Sequence, residues 1–104
     1  MLFRSDQAVA ACQAAGAEAL GLVVDVTQRD MVDGMVQHVR ERFGRIDVLV
    51  NNAGVMTRPS PTTDLDVKKW DYTIAVNLRG PFLVSQAVLP IMMTQKSGSI
   101  INVS

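Results

Sequence analysis

Ile46-Asp47-Val48-Leu49-Val50-Asn51-Asn52-Ala53-Gly54 is the stretch on which the fold turns, because an aliphatic run gives way at once to two amides, an alanine and a glycine. Ile46 to Val50 is too short for a buried helix. Its Ile, Val and Leu content predicts a strand of parallel type, covered on both faces and ending at Asn51. Upstream, Val32, Met35, Val36, Val39 and Phe43 recur at helical spacing until Gly44, and Thr27 with Asp30 forms an approximate capping box at the start. Before that helix, the Val-rich run Leu20 to Val24 predicts another strand. Before that again, the Ala-rich segment Asp6 to Ala15 predicts a helix stopped by Gly16. Downstream, Pro59, Pro61 and three threonines make Val55 to Thr63 a loop. Asp64 or Asp66 then caps a helical region running to about Lys96. On it Trp70, Ile74, Leu78 and Phe82, then Val84, Val88 and Ile91, mark a wide apolar face. Gly98 precedes a last strand, Ser99 to Val103. The alternation predicts an α/β fold with a parallel sheet, three strands and three helical regions.

Composition narrows the function classes. Over 104 residues, 48% apolar and 19% charged side chains describe one globular domain spanning 1–104. Ten basic side chains balance ten acidic ones without clustering, so nothing marks a nucleic-acid or anionic-membrane partner. The apolar stretch Phe82 to Met93 is interrupted by Ser85, Gln86 and Pro90 and falls short of the roughly 20 residues that cross a bilayer, so no membrane span is expected. Cys12 is the sole cysteine, and Met1-Leu2-Phe3-Arg4 lacks the apolar run of a secretory signal, which together point to the cytoplasm. His38 has no companion ligands, so no metal site is expected. Cys12, in an Ala-rich helix, is expected to be an inert packed thiol. The charge content is low for so short a chain and suggests a piece of something larger.

In parallel sheets ligands bind beyond the carboxyl ends of the strands, which singles out Asp25-Val26, Asn51 to Gly54, and Ser104. The carboxylate of Asp25 can accept from an exocyclic amine such as that of adenine; equally, Asp25 or Thr27 can simply cap the next helix. Asn52, Ala53 and Gly54 allow a ligand close to the backbone, or form a plain turn. Asn77 lies four residues before Pro81, which has no N–H and crowds the carbonyl at i−4. The helix is therefore predicted to kink between Asn77 and Pro81, freeing the Asn77 carbonyl to hold a water.

Asp25-Val26-Thr27, Asn51-Asn52-Ala53-Gly54, Val76-Asn77-Leu78 with Gly80 and Phe82, and Gly98-Ser99-Ile100-Ile101-Asn102-Val103-Ser104 together resemble the short-chain dehydrogenase/reductase family over nearly all the chain. The resemblance implies an incomplete doubly wound Rossmann-type sheet. It implies NAD or NADP, with Asp25 and the Val26 backbone bordering the adenine and Asn52, Ala53 and Gly54 lying along the nicotinamide ribose. Asn77 becomes the catalytic Asn that positions a relay water through its main-chain carbonyl, and Asn51 a stabiliser of the central sheet. The substrate is then a small alcohol or ketone, and the parent is a homo-oligomer through the 66–96 helix. The family's Gly-rich pyrophosphate turn and its Ser and Tyr-x-x-x-Lys residues have no counterpart here, so an isolated chain is expected to be inactive and aggregation-prone. In the family's strand order, 3-2-1-4-5-6-7, this chain carries strands 3, 4 and 5, of which 3 and 4 are not neighbours. The alternative from another class is a short non-catalytic nucleotide-binding or heteromerisation module with the long helix as its interface.

Overall fold

A computed structural model describes residues 4–104; Met1, Leu2 and Phe3, cited above for the lack of a leader, lie outside the described residues. The elements are α1 (Arg4–Ala14), α2 (Arg29–Phe43), β1 (Val48–Asn51), a 3-10 turn (Thr62–Asp64), α3 (Val67–Ile74), a π-helical turn (Ala75–Arg79), α4 (Gly80–Gln95) and β2 (Ser99–Asn102). β1 and β2 pair in parallel, Val48 opposite Ser99 and Asn51 opposite Asn102. The helical run from α3 to α4 is the crossover that parallel pairing requires. Gly44 closes α2 in the left-handed region at φ 81°, as its place after the apolar stripe predicts. Asp66, one of the two predicted caps, accepts from the Lys68 N–H at 2.9 Å and starts α3.

The sheet has two strands where three were expected. Leu20 to Val24 runs extended, with Leu22 and Val24 half-buried and Val23 87% exposed, yet has no ladder partner among the described residues. A strand exists by its pairing, and in the strand order given above this segment's neighbour is not β1. The capping box fails too. α2 begins after Gln28, and Asp25 instead folds the preceding turn by accepting from the Thr27 N–H and hydroxyl.

The core lies on one face of the sheet. Val32 and Val36 of α2 meet Val84, Val88 and Met92 of α4 over Leu49 and Ile100. Each such side chain contributes on the order of 1.5–3 kcal/mol when fully buried. On the other face Val48, Val50, Ile101 and Val103 remain about half exposed, so β1 is not covered on both faces. The wide apolar face of the long helix likewise resolves into two. Val76, Leu83, Val84, Val88 and Met92 point inward, whereas Trp70, Leu78, Phe82 and Met93 are exposed. The helical run Val67–Gln95, 29 residues long with an 18-residue stretch at mean hydropathy 1.3, has the length and composition to cross a membrane. That corrects the argument from length; its inward residues form the core with α2. Cys12 is exposed rather than packed.

Three amide side chains fasten β1 and its flanks to the long helix. Gln95 accepts from the Ile46 N–H at 3.0 Å and donates to its carbonyl at 2.7 Å. Asn51 donates to the Ser85 hydroxyl at 3.2 Å. Asn77 accepts from the Val55 N–H and donates to its carbonyl, both at 2.8 Å.

Candidate active site

The chain leaves β1 through Asn52-Ala53-Gly54 at the carboxyl end of the sheet and passes beneath the π-helical turn. Two adjoining clefts open there. One, of about 380 Å³, is bounded by Ala53, Asn77, Pro81, Phe82 and Ser104. The other, of about 530 Å³, is bounded by Asn52, Gly54, Met56, Asn77 and Ser104. A larger depression of about 670 Å³ between α2 and α4 lies off the strand ends and contains none of the candidate residues, so its size carries no weight here.

The kink predicted at Asn77 to Pro81 takes the form of a π turn. The Gly80 N–H donates to the Ala75 carbonyl, one residue further back than in an α-helix. Pro81 has no N–H to offer the Asn77 carbonyl at the α-helical spacing. The Asn77 side chain is fully committed to both backbone groups of Val55, the residue after Gly54. The side chain thus acts as a fastener that sets the loop against the helix.

Asn51 is buried and serves the sheet, donating through Nδ2 to the Asn102 Oδ1 at 2.9 Å as well as to Ser85. Its neighbour Asn52 is exposed and lines the larger cleft. Asp25 and Val26 stand apart from both clefts. The Asp25 Oδ1 accepts the Thr27 hydroxyl at 2.7 Å and the Thr27 amide at 2.9 Å, while its Oδ2 has no protein donor among the described residues. The Thr27 hydroxyl, then its amide, holds the Asp25 carboxyl below the usual aspartate range, so it is anionic at neutral pH. Neither Asp25 nor Thr27 caps α2, whose N-cap is Gln28; one Asp25 oxygen builds the turn before it, and the other has no protein donor among the described residues. Val26 is half-buried, with its side chain against Gly80, where an added Cβ would come within 2.7 Å of the Val26 Cγ2.

Sequence reasoning missed Ser85, Gln95, Gln86 and Arg79. Ser85 and Gln95 interrupt an apolar helix, a signal that was available. Arg79, which donates to the Thr27 carbonyl at 3.3 Å, and Gln86, which accepts from Arg29, have only distant partners and no local pattern. Trp70, placed on the apolar face of the long helix, and Tyr72 nearby are both more than half exposed.

Comparison with known proteins agrees with this architecture. The sequence model of the family described as short chain dehydrogenase matches residues 2–104. A 3-oxoacyl-[acyl-carrier-protein] reductase of Thermotoga maritima is 49% identical over 82 residues, which are 79% of this chain and 33% of that protein. The 5-keto-D-gluconate 5-reductase of Escherichia coli is 40% identical over 100 residues, 96% of this chain and 39% of that protein. The crystal structure of NAD+-bound xylitol dehydrogenase superposes with TM-score 0.91 at 37% identity, over 94% of this chain and 38% of that one. A metagenomic short-chain oxidoreductase in complex with NADP gives TM-score 0.83 at 41% identity, over 88% and 42%. The chain therefore spans 33% to 42% of the length of these four proteins.

Proposed function

This chain belongs to the short-chain dehydrogenase family, and we propose that it is the part of an NAD(P)-dependent oxidoreductase that holds both ends of the dinucleotide and the proton-relay Asn, in an enzyme moving hydride between nicotinamide and an alcohol or ketone. The observation that carries this reading is the reciprocal bonding of Asn77 to Val55, which sets the only π turn of the described residues beside Asn52, Ala53 and Gly54 at the strand ends.

The residues fit a dinucleotide. Asp25 has an unengaged anionic oxygen suited to an exocyclic amine, and the exposed amide of Asn52 beside Ala53 and Gly54 suits a ribose hydroxyl. The nicotinamide, when bound, supplies the hydride acceptor or donor. The chain's own residues do the rest: Asp25 and the Val26 backbone hold the adenine, Asn52 to Gly54 orient the nicotinamide ribose, and the Asn77 carbonyl holds a water through which protons reach the reacting oxygen. Solved relatives are described with NAD+ and with NADP, and both remain eligible here. The exposed stripe of Trp70, Leu78, Phe82 and Met93 supports a homo-oligomer built through the 66–96 helix. The balanced charge supports a cytoplasmic enzyme with neither nucleic-acid nor membrane partners. The non-catalytic module is not favoured, since it gives no reason for the Asn77 arrangement.

The test is made on the full-length product of the reading frame. NADH and NADPH are titrated against it, and a panel of small ketones is followed by loss of reduced nicotinamide absorbance. Turnover with nucleotide binding supports the reading, and Asn77→Ala, which keeps the carbonyl but releases the Val55 loop, is expected to lose turnover and to weaken the nicotinamide side; absence of nucleotide binding overturns the reading.

A further inference from the structure

The π turn is fastened at two places that the dinucleotide reading assigns to opposite ends of one ligand. Through Asn77 it holds the loop after Gly54. Two residues on, the Arg79 guanidinium donates to the Thr27 carbonyl at 3.3 Å, and one further on Gly80 lies against the Val26 side chain. Arg29, the first residue of α2, adds a second tie just after the turn, donating to Gln86 about two helical turns beyond Arg79. Asp25 to Thr27 has no strand pairing to hold it, because Leu20 to Val24 lacks a ladder partner among the described residues. Its position therefore depends on the packing of Val26 against the core, on the turn's internal bonds and on these ties to the helix. The Asp25 to Thr27 bonds fix the shape of the turn; they do not fix where it sits.

We propose that Arg79 is a positioning residue for the adenine-side turn: without touching the nucleotide it holds Asp25 and Val26 at a set place relative to Asn77. This rests on the dinucleotide reading above. The physical case is the geometry of the guanidinium. A charged donor on a main-chain carbonyl makes a stronger bond than a neutral pair; Thr27 is half-buried and Arg79 exposed, so the bond keeps part of that strength against water. The Arg79 backbone belongs to a hydrogen-bonded helix end, so the side chain works from a rigid base.

The test uses the full-length product of the reading frame with Arg79→Ala, Arg79→Lys and, as a distant control, Arg40→Ala. Hydrogen exchange is followed by mass spectrometry in peptides covering residues 22–31 and, for comparison, the core of α4. Binding of 5′-AMP and of nicotinamide mononucleotide, which lacks the adenine, is measured by calorimetry. Arg79→Ala is expected to speed exchange in 22–31 and to weaken 5′-AMP by about three- to tenfold, the size of one charge-assisted bond at a partly exposed site. α4 exchange and nicotinamide mononucleotide affinity stay unchanged, Arg79→Lys recovers most of the loss, and Arg40→Ala does nothing. Unchanged exchange and unchanged 5′-AMP affinity in Arg79→Ala overturn the proposal. Equal loss of both nucleotides also overturns it, since that is general loosening. If the unsubstituted protein binds no 5′-AMP, the dinucleotide reading of the turn falls and takes the proposal with it, whatever exchange shows.

Discussion

Replacing Gly80 with alanine sets two effects of known size against each other. Gly80 sits at the start of α4 with φ −56° and ψ −54°, ordinary helical backbone that alanine prefers. In a helix interior the change from glycine to alanine stabilises by roughly 0.8–1.0 kcal/mol. Against this, the new Cβ arrives 2.7 Å from the Val26 Cγ2 and 3.3 Å from its Cβ, where carbon atoms at rest lie about 3.5–4.0 Å apart. Val26 is β-branched and stiff at χ1, so it cannot swing aside at no cost. Forcing a methyl into packed surroundings costs about 1–3 kcal/mol. The net expectation for Gly80→Ala is therefore a destabilisation between about 0 and 2 kcal/mol. In a Val26→Ala background the obstructing methyls are gone, and the same substitution should stabilise by up to about 1 kcal/mol. Urea unfolding of the four proteins of the cycle, followed by helical circular dichroism, measures the coupling. A coupling below about 0.5 kcal/mol, the scatter expected of independent sites, refutes the claim that Gly80 is glycine because of Val26.

Three further outcomes are expected. Asn77→Asp keeps an acceptor for the Val55 N–H but sets a carboxylate oxygen against the Val55 carbonyl; the neutral acid restores a donor. The new group's pKa is thus raised on folding, and this variant should gain stability relative to the unsubstituted protein as pH falls, measured by thermal melts between about pH 7 and 4. Asn51→Leu removes the donor to Asn102 and Ser85 inside the sheet and should cost about 1–3 kcal/mol in denaturant unfolding, with Asn51→Ala no better. Asp25, held below its usual range by Thr27, contributes stability that is present above the unfolded aspartate pKa and lost as pH falls through the lower folded value. Thr27→Val should move the Asp25 midpoint back up in a carboxyl carbon NMR titration.

What could be read from the residues divides by the range of the interaction. The stripe of Val32 and Val36, the Asp66 cap and the break at Asn77 to Pro81 are set by neighbours a few positions away, and each has a counterpart in the structure; the sheet role of Asn51 rests on Ser85 and Asn102, far along the chain, and came only from the family resemblance. Leu20 to Val24 has the composition of a strand and the alternating burial of one, but pairing depends on a neighbour that local sequence does not contain. The capping box lost because the Asx turn at Asp25 satisfies Thr27 first, and α2 then starts a residue later. In the candidate site, the loop after β1 and the π turn were legible separately. Their fastening through Asn77 and Val55, 22 residues apart, was not, and neither was the tie of Arg79 to Thr27 across 52.

The amide fasteners along β1 also act as a ruler with two scales. Between Ile46, Asn51 and Val55 the extended chain advances five residues and then four; between their partners Gln95, Ser85 and Asn77 the helix returns ten and then eight. An extended residue spans about 3.3 Å and a helical one about 1.5 Å, so each pair of segments has nearly the same length, roughly 16 against 15 Å and 13 against 12 Å. The ratio of two helical residues per strand residue is what allows all three marks to coincide. A single deletion between Ile46 and Val55 shifts one scale against the other and turns the strand side chains beyond it to the opposite face; removing two residues from the matching helical interval restores the length but rotates the helix face by about 200°, so the marks do not meet again. The loop from Met56 to Thr63 lies outside both scales, and changes of length are borne better there than along either of them.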